Sequence, residues 1–310
     1  VHIAINVIAM NEHDPARLLD EAEYVLLQHY PDAMVTAFIA ILDPGKRRIE
    51  YANAGHYYPL LRLWDGSIEP LTAHGMPIGL RGLGKSEPSR SRTLADAAMI
   101  VFYTDGVTEA TRDIEEGQRR LQAALASEAS LYVRSPSTLI AASCLPEDLH
   151  DDDAAILVVS FPHSISWSFD AEDARAAQHA RGEFLEQLQS EAEPESDLTA
   201  AEIVFGELVG NVVRHAPGSI DVTLEWDARG NCILHVIDRG PGFEYVVPEE
   251  VDVLSESGRG LWLCKQFAKS MTVERLPGYG LHARVELPVA RKPATISAEK
   301  TKEGRTAATG

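Results

Sequence analysis

Two polar residues on one predicted helix are the first candidates for chemistry. Glu207 and Asn211 lie within residues 199–215, where apolar residues recur with helical spacing. Because side chains four residues apart point to the same side of a helix, the carboxylate and the amide share one face. Such a pair usually belongs to a solvated face of an amphipathic helix. It could also place a general base beside an oxygen ligand for Mg²⁺.

A glycine-rich segment downstream of this helix adds a feature that a nucleotide would need. Asp238 ends an apolar strand, and Gly240 and Gly242 follow it. The carboxylate could accept a hydrogen bond from an exocyclic amine such as N6 of adenine. The glycines allow the backbone to turn sharply and to approach a flat ring. This segment alone is also typical of an ordinary turn.

A second glycine pair precedes another predicted helix. Gly258 and Gly260 flank Arg259, at a helix start whose free N–H groups and dipole favour phosphates. Arg259 could add a charged contact. In such a site Asn211 would ligate Mg²⁺, and Glu207 would act as general base on an incoming hydroxyl. The order of the three motifs along the chain, rather than any one of them, predicts a nucleotide site.

Aspartates at two strand ends suggest a second site nearer the amino terminus. Asp105 follows the apolar run 97–103, and Asp152 and Asp153 precede the run 154–161. Carboxylates held at strand ends can bind two metal ions, which activate water for attack on a phosphate ester. Without further context, a turn and a solvated acidic cap would be the preferred interpretation.

Length and composition limit the alternatives. The 310 residues suffice for two domains, and the net charge of −19 argues against nucleic-acid and anionic-membrane partners. No apolar run is long enough for a membrane span. Three cysteines without C-x-x-C spacing favour a reducing cytoplasm. The first residue is Val, so we expect the chain to begin inside a longer polypeptide.

The motifs of the second half, taken in order, resemble the GHKL ATPase fold. They are most similar to anti-sigma-factor serine kinases of the RsbW and SpoIIAB type. Glu207 and Asn211 match the N-box of that family, and segments 238–242 and 258–260 match its two glycine boxes. The resemblance covers residues 164–289. It implies an α/β sandwich with a mixed sheet that binds ATP and Mg²⁺.

The same resemblance implies a substrate and partners. The kinase would phosphorylate a serine of an anti-sigma-factor antagonist, a STAS-type protein. A sigma factor and a second copy of the chain remain open as further partners. Two departures from the family pattern, Trp262 after the second glycine box and Leu281-His282 in place of a segment with threonine, would weaken ATP binding.

The first half resembles the later part of the SpoIIE/RsbU-type PP2C-like phosphatases. The resemblance rests on five segments in the family's order, namely 34–38, 51–59, 75–79, 103–109 and 152–155. It implies a partial PP2C-like β-sandwich flanked by helices, with Asp105 and Asp152 as Mn²⁺ or Mg²⁺ ligands and Asp153 as the fallback. Asn53 and His56 match motif residues for which we expect a structural role.

Two aspartate segments of that phosphatase family, G-D-x-x-D and G-D-x-x-G-H-G, are not found. We therefore expect weak or no phosphatase activity from this chain, and a complete site in a longer one. The predicted architecture is α+β in two domains. We expect the phosphatase-like domain over residues 1–161, the ATPase domain over 164–289, and a disordered tail over 290–310.

Three functional hypotheses follow. The first is a bacterial partner-switching regulator in which a serine phosphatase is fused to a serine kinase. The second, from a different class, is a module that binds ATP or a sigma factor without kinase activity, with the phosphatase active only in a longer chain. In the third, the phosphatase alone matters and the second domain regulates it.

Overall fold

The computed structural model describes residues 9, 12–84, 87–145, 153–161, 164–216, 218–227, 229–240 and 259–292, and for Arg259 its backbone only. The chain divides into two compact units. One comprises Val1–His163 with Arg275–Gly280, and the other comprises Ser164–Glu274 with Leu281–Gly310. The linker predicted at residues 162–163 lies outside the described residues.

The first unit combines helices with antiparallel sheets. Its helices are α1 (Pro15–His29), α2 (Asp105–Glu109), α3 (Ile114–Ala126) and α4 (Pro136–Cys144). Its strands are β1 (Ala37–Asp43), β2 (Arg48–Ala54), β3 (Leu60–Leu63), β4 (Ile68–Pro70), β5 (Arg90–Thr93), β6 (Ala97–Tyr103) and β7 (Ile156–Ser160). They form one sheet in the order β1-β2-β5 and another in the order β4-β3-β6-β7.

Helix α1 has a start that its sequence explains. The side chain of Asp14 accepts hydrogen bonds from the backbone N–H groups of Ala16 and Arg17, which would otherwise lack partners at a helix start. Pro15 occupies the first turn, where its missing N–H costs nothing. The apolar face of α1 packs with β2 in one buried cluster, which fixes the helix on this sheet.

Strand β6 forms the centre of the four-stranded sheet. The predicted apolar run 97–103 is confirmed as this strand, and all but one of its residues are buried. Its neighbour β7 runs antiparallel, with Tyr103 opposite Ile156. The residues that follow β6 and the residues that precede β7 therefore lie at the same edge of the sheet.

Within its described residues, the second unit places three helices with one five-stranded sheet. The helices are α5 (Ala174–Glu191), α6 (Leu198–His215) and α7 (Arg259–Phe267). The strands are β8 (Ile165–Asp170), β9 (Ser219–Trp226), β10 (Asn231–Asp238), β11 (Ser270–Arg275) and β12 (Leu281–Ala290), in the sheet order β11-β12-β10-β9-β8. The α+β class is confirmed. The pairings β8/β9, β9/β10 and β10/β12 are antiparallel.

Helix α6 is the central helix of this unit. Its apolar face buries Val204, Phe205 and Leu208 in one core with Phe184 of α5 and Val222 of β9. Side chains of this size contribute about 2–3 kcal/mol each when fully buried. The packing, rather than helix propensity, therefore fixes which face of α6 is left for polar residues.

The start of α6 differs in one detail from the sequence prediction. Thr199 and Glu202 have the spacing of a capping box, but the cap residue is Asp197, whose carboxylate accepts a hydrogen bond from the N–H of Ala200. An aspartate two residues earlier offers the same acceptor. The cap residue can therefore lie two residues before the position that a sequence motif indicates, and the helix itself is unchanged.

The end of the second unit extends further than predicted. Strand β12 continues to Ala290, and the N–H of Lys292 donates to the carbonyl of Glu191. Arg291 forms a β-bridge with Ala192. Residues 290–292 are therefore ordered, against our prediction, while the rest of the predicted tail lies outside the described residues. Within the ranges that the structure describes, no helix has the length and apolar character needed to cross a membrane.

Candidate active site

Glu207 and Asn211 lie on α6 and face the start of α7. A Cβ atom added to Gly260 would lie 2.5 Å from Oε2 of Glu207 and 3.2 Å from Oδ1 of Asn211. No side chain larger than hydrogen fits there without displacing them. The close approach shows that the second glycine box meets the N-box pair, as the order of the motifs suggested. Glu207 remains partly exposed, with 31% of its side-chain surface accessible.

The carboxamide of Asn211 is only half satisfied. Its Oδ1 accepts a 2.9 Å hydrogen bond from the guanidinium of Arg214. Its Nδ2 is buried and has no hydrogen-bond partner within the described part of the chain. A buried amide nitrogen without a partner is costly, and such a group is expected to gain one when a ligand binds. The amide therefore has the oxygen chemistry that Mg²⁺ needs and a donor that a phosphate or water could accept.

Asp238 lies at the end of β10, on the face of the sheet that carries the helices. It is 3% exposed, and burial raises the pKa of its carboxyl group, opposed by hydrogen bonds from the backbone at Gly240 and Leu281. The N–H of Gly240 lies 2.8 Å from Oδ1 of Asp238. A Cβ on Gly240 would lie 2.4 Å from that of Ala216, so only glycine allows this turn to pack against the end of α6.

An open cleft lies between Asn211 and Asp238. Its walls come from α6, β10, α7, β11 and β12, namely Leu208, Asn211, Val212, Val236, Asp238, Leu261, Val273, Leu281 and Ala283. Most of this surface is aliphatic, and its polar groups are the Asn211 amide and the Asp238 carboxylate. A mostly apolar cleft with two oriented polar groups suits a flat heteroaromatic ring that carries an exocyclic amine.

Three of the predicted nucleotide-binding residues lie wholly or partly outside the part of the chain that the structure describes. Gly242 and Gly258 lie outside the described residues, and Arg259 is described by its backbone alone, at the start of α7. Their predicted roles stay predictions. Gly260, the remaining member of that box, is the one whose contacts the structure gives.

The two departures from the kinase pattern fall in different surroundings. Leu281 lines the cleft, as a residue of the last phosphate-contacting segment would. His282 is 2% exposed, and its Nε2 lies 2.9 Å from Nδ1 of His235 on the neighbouring strand. Strand alternation turns His282 away from Leu281. Trp262 does not line the cleft formed by the described residues.

The cysteines of the second unit are core residues. Cys232 and Cys264 are both 0% exposed. Burial raises the pKa of both thiols, that of Cys264 to about 12, where the charge of Glu207 contributes. Because the thiolate is the reactive form, these residues are inert at neutral pH.

In the first unit, Asp105 and Asp153 lie at the same edge of the sheet. Asp105 begins α2 directly after β6, and its Oδ1 accepts from the N–H of Gly106 at 3.0 Å. A Cβ on Gly106 would lie 2.6 Å from the carbonyl oxygen of Asp153. Both aspartates are exposed. Asp152, the other predicted ligand, lies outside the described residues.

Asn53 and His56 hold the turn beside Asp105. Asn53 is 4% exposed, donates from Nδ2 to the carbonyl of His56 at 2.9 Å and accepts from its N–H at 2.8 Å. The His56 ring contacts Oγ1 of Thr36 at 3.3 Å and hydrogen-bonds to the backbone of Tyr103. Burial lowers the pKa of His56, while the charge of Asp105 opposes this shift. These contacts fit the structural role expected for both residues.

The carboxylate ligands at this edge of the sheet fit one hard divalent cation but not a pair of them. Two described carboxylates, those of Asp105 and Asp153, face solvent where the strands end. Mn²⁺ and Mg²⁺ accept such ligands with waters completing the shell. A pair of metal ions requires more carboxylates than these two. The residues therefore suit a single weakly held cation better than a two-metal centre.

Sequence reasoning missed Arg214. It lies three residues after Asn211 and seven after Glu207, which places all three on one side of α6. Its guanidinium is 3.8 Å from Oε2 of Glu207 as well as 2.9 Å from Asn211. The helical spacing was visible in the sequence. A basic residue in the last turn of a helix is so common, however, that spacing alone did not single it out.

Solved structures that resemble this chain come from several bacteria. The RsbU and RsbW domains of Rv1364c from Mycobacterium tuberculosis share 22% identity over 94% of this chain and 81% of that chain, with a TM-score of 0.42. The SiaA-PP2C domain of Pseudomonas aeruginosa shares 21% over 52% and 67%, with a TM-score of 0.41. The phosphatase domain of SpoIIE from Bacillus subtilis shares 15% over 52% and 71%, with a TM-score of 0.39.

These TM-scores are low, and the family assignment rests on sequence profiles. The profile of the histidine kinase-, DNA gyrase B- and HSP90-like ATPases matches residues 196–291. The profile of stage II sporulation protein E (SpoIIE) matches residues 1–162, more than half of the chain. Both resemblances inferred from the motifs are thereby confirmed, and this chain belongs to the SpoIIE family, with an ATPase domain following the phosphatase-like domain.

Proposed function

We propose that this protein is a partner-switching regulator that both adds and removes a phosphate on a serine of one partner. The second unit would transfer the γ-phosphoryl group of ATP to an anti-sigma-factor antagonist, a STAS-type protein. The phosphatase-like domain would hydrolyse the product. The observation that carries the kinase arm is the close approach of Gly260 to Glu207 and Asn211, beside a cleft that Asn211 and Asp238 line together.

Each group at the cleft has a proposed task in binding. The Asp238 carboxylate would accept a hydrogen bond from N6 of adenine, because it is buried and lies in the wall of the mostly apolar cleft. Asn211 would hold Mg²⁺ through Oδ1. The start of α7, with Gly258, Arg259 and Gly260, would meet the phosphates, and Gly242 would allow the turn beside the base.

Glu207 would perform the acid–base step. Its carboxylate would take the proton from the serine hydroxyl, whose oxygen then bonds to the γ-phosphorus as the bond to the β–γ bridging oxygen breaks and ADP leaves. Mg²⁺ would neutralise charge on the phosphate oxygens. The partial exposure of Glu207 supports this role, since an incoming protein hydroxyl must reach it.

The motif resemblance supports the partners of this exchange. It favours a STAS-type antagonist as substrate and a sigma factor as a further ligand of the second unit, in the cytoplasm, with a homodimer as the assembled form. The acidic net charge of −19 favours protein partners with basic surfaces over nucleic acid.

The phosphatase arm rests on Asp105 with Asp152 or Asp153 as ligands for Mn²⁺ or Mg²⁺. These metals would activate water for in-line attack on the phosphoserine. We propose that the arm needs carboxylates beyond these three for full activity. Gly106 packs against the backbone of Asp153, which supports the placement of Asp105 and Asp153 at one edge of the sheet.

Replacement of Glu207 tests the kinase arm. We expect Glu207→Ala to reduce phosphorylation of a STAS-type antagonist by about 10²- to 10⁴-fold, because a general base contributes that much. The dissociation constant of Mg²⁺–ATP should stay within about twofold of wild type. Transfer would be measured with γ-labelled ATP, and binding by calorimetry.

A matched control lies on the same helix. Glu202 pairs with Arg181 of α5 at 2.7 Å, away from the cleft, so Glu202→Ala should leave transfer unchanged. Equal losses in both variants would contradict the assignment of the base. Tight ATP binding by wild type without transfer to any antagonist would instead favour a module that binds nucleotide without chemistry.

One observation favours that second candidate. Arg214 donates to Oδ1 of Asn211, the atom that Mg²⁺ would need. A protein that binds nucleotide to control a sigma factor could retain such a contact permanently, whereas a kinase must release it.

A further inference from the structure

The guanidinium of Arg214 lies along the surface of α6 between the two N-box residues. One of its nitrogens is 2.9 Å from Oδ1 of Asn211 and 3.8 Å from Oε2 of Glu207. The side chain of Arg214 passes over Gly210, where an added Cβ would lie 3.6–3.8 Å from the guanidinium atoms. The cation therefore lies against the helix and joins the general-base candidate to the metal-ligand candidate.

This arrangement is incompatible with full metal ligation at Asn211. A divalent cation on Oδ1 would lie within a few ångströms of the guanidinium, and like charges at that distance repel. The buried Nδ2 of Asn211 cannot substitute, because an amide nitrogen has no lone pair to offer a metal. Either Arg214 leaves Oδ1 or the metal is held without Asn211.

We propose that Arg214 is the resident counter-ion of the nucleotide-free N-box and competes with Mg²⁺ for Oδ1 of Asn211. It holds Asn211 and balances the charge of Glu207 until Mg²⁺–nucleotide displaces it. The inference rests on the proposed nucleotide-binding function. Arg214 would thus set the Mg²⁺ concentration at which nucleotide binds, acting as a positioning residue for the metal ligand.

The exposure of Arg214 limits the size of the effect. Its side chain is 57% accessible, and solvent-exposed ion pairs contribute little because water screens them. A contact of that strength shifts a binding equilibrium by about twofold to fivefold. The competition is therefore weak enough for Mg²⁺–nucleotide to win, yet large enough to measure.

The test is the Mg²⁺ dependence of ADP binding by the full chain. With ADP fixed near its dissociation constant, Mg²⁺ is titrated and half-saturation is recorded by calorimetry or by a fluorescent ADP. We expect Arg214→Gln to lower the Mg²⁺ concentration at half-saturation by about twofold to fivefold. ADP binding in EDTA should not change. Arg214→Lys, which keeps the charge, should retain most of the wild-type Mg²⁺ requirement.

Arg181→Gln is the matched control. Arg181 has a side chain of similar exposure, 50%, and its ion pair with Glu202 is remote from the cleft. This variant changes the net charge by the same amount and should titrate like wild type. Thermal unfolding of each variant establishes that it is folded.

The outcomes separate the inference from the proposed function. An unchanged or increased Mg²⁺ requirement in Arg214→Gln overturns the competition, and an increase would make Arg214 a phosphate ligand instead. An equal gain in EDTA also overturns it, because the effect would then not involve the metal. Failure of wild type and all variants to bind Mg²⁺–ADP would instead contradict the proposed function.

Discussion

The candidate site of the second unit gathers residues from α6, β10 and α7, whereas that of the first unit draws on the ends of two paired strands. In the second unit, Gly260 of one helix lies against Glu207 and Asn211 of another. In the first, Gly106 lies against the backbone of Asp153. Side-chain ends can yield to a new methyl group and backbone cannot. The same substitution should therefore alter function in one unit and stability in the other.

Among the substitutions that test this comparison, the largest effect is expected for Gly260→Ala. The added Cβ would come within 2.5 Å of Oε2 of Glu207, and the carboxylate should swing aside. Displacing a general base by about 1 Å costs up to about 10²-fold in rate. We expect phosphoryl transfer to fall by about 10- to 100-fold with little change in thermal stability.

Gly206→Ala controls for a methyl group near the same site. Gly206 lies beside Glu207 on α6, and a Cβ there meets no atom within 4 Å. Alanine should stabilise the helix by about 0.5–1 kcal/mol and leave transfer intact. A Gly260→Ala protein with wild-type turnover would show that the helices are not as close as described.

The next effect is expected for Gly106→Ala. Its Cβ would lie 2.6 Å from the backbone carbonyl oxygen of Asp153, three residues before β7 begins. Overpacking of this kind costs about 1–3 kcal/mol. We expect the free energy of unfolding of the first unit to fall by that amount in urea titrations. Gly82→Ala, whose Cβ meets nothing within 4 Å, should not show this loss.

A smaller, pH-dependent effect is expected for Asp238→Asn. Burial raises the pKa of Asp238 above its ordinary value of 3.8, so the folded protein binds the proton more tightly than the unfolded chain. Wild type therefore loses stability as pH rises from below 3.8 through the raised pKa, and Asp238→Asn removes that loss. Thermal unfolding of both proteins across acidic pH measures the difference.

Nucleotide affinity should move in the opposite direction. Wild type should bind ADP more weakly as pH falls through the raised pKa of Asp238, because the protonated carboxyl group loses an acceptor. Asp238→Asn should bind weakly at every pH. Parallel pH profiles in the two proteins would contradict a role for Asp238 in base recognition.

The smallest effect is expected for Asp105→Asn in the first unit. Within the described residues, this edge of the sheet holds the carboxylates of Asp105 and Asp153, fewer than a two-metal centre needs. We expect little phosphoserine hydrolysis with Mn²⁺ and no measurable difference between this variant and wild type. Robust Mn²⁺-dependent turnover that Asp105→Asn abolishes would show that the first site is complete.

Local pattern predicted the elements that hold both sites. The apolar run 97–103 gave β6, and helix 199–215 is one residue short of α6 (Leu198–His215). Both segments combine strong periodicity with turn residues at their ends. The cap of α6 was missed because Asp197 and Thr199 offer equivalent acceptors, and only the observed backbone selects between them.

The sequence predicted those features of the candidate site that follow from residue type and from position on a helix or strand. Glu207, Asn211 and Asp238 lie where the motifs suggested, on a helix face and a strand end. Arg214 was missed because its role comes from the direction in which a long, flexible side chain folds. The rotamer of such a side chain depends on which residues surround it in the folded protein, and the sequence alone does not give that arrangement.

The sequence by itself determined the elements, the order of the motifs and the family, because periodicity and residue type act over a few neighbours. Only the tertiary structure decided that Gly260 touches Glu207 and Asn211, and that Arg214 occupies Oδ1 of Asn211. These contacts follow from the packing of α6, α7 and the sheet around one core. Packing depends on every side chain at the interface at once, so no local pattern encodes it.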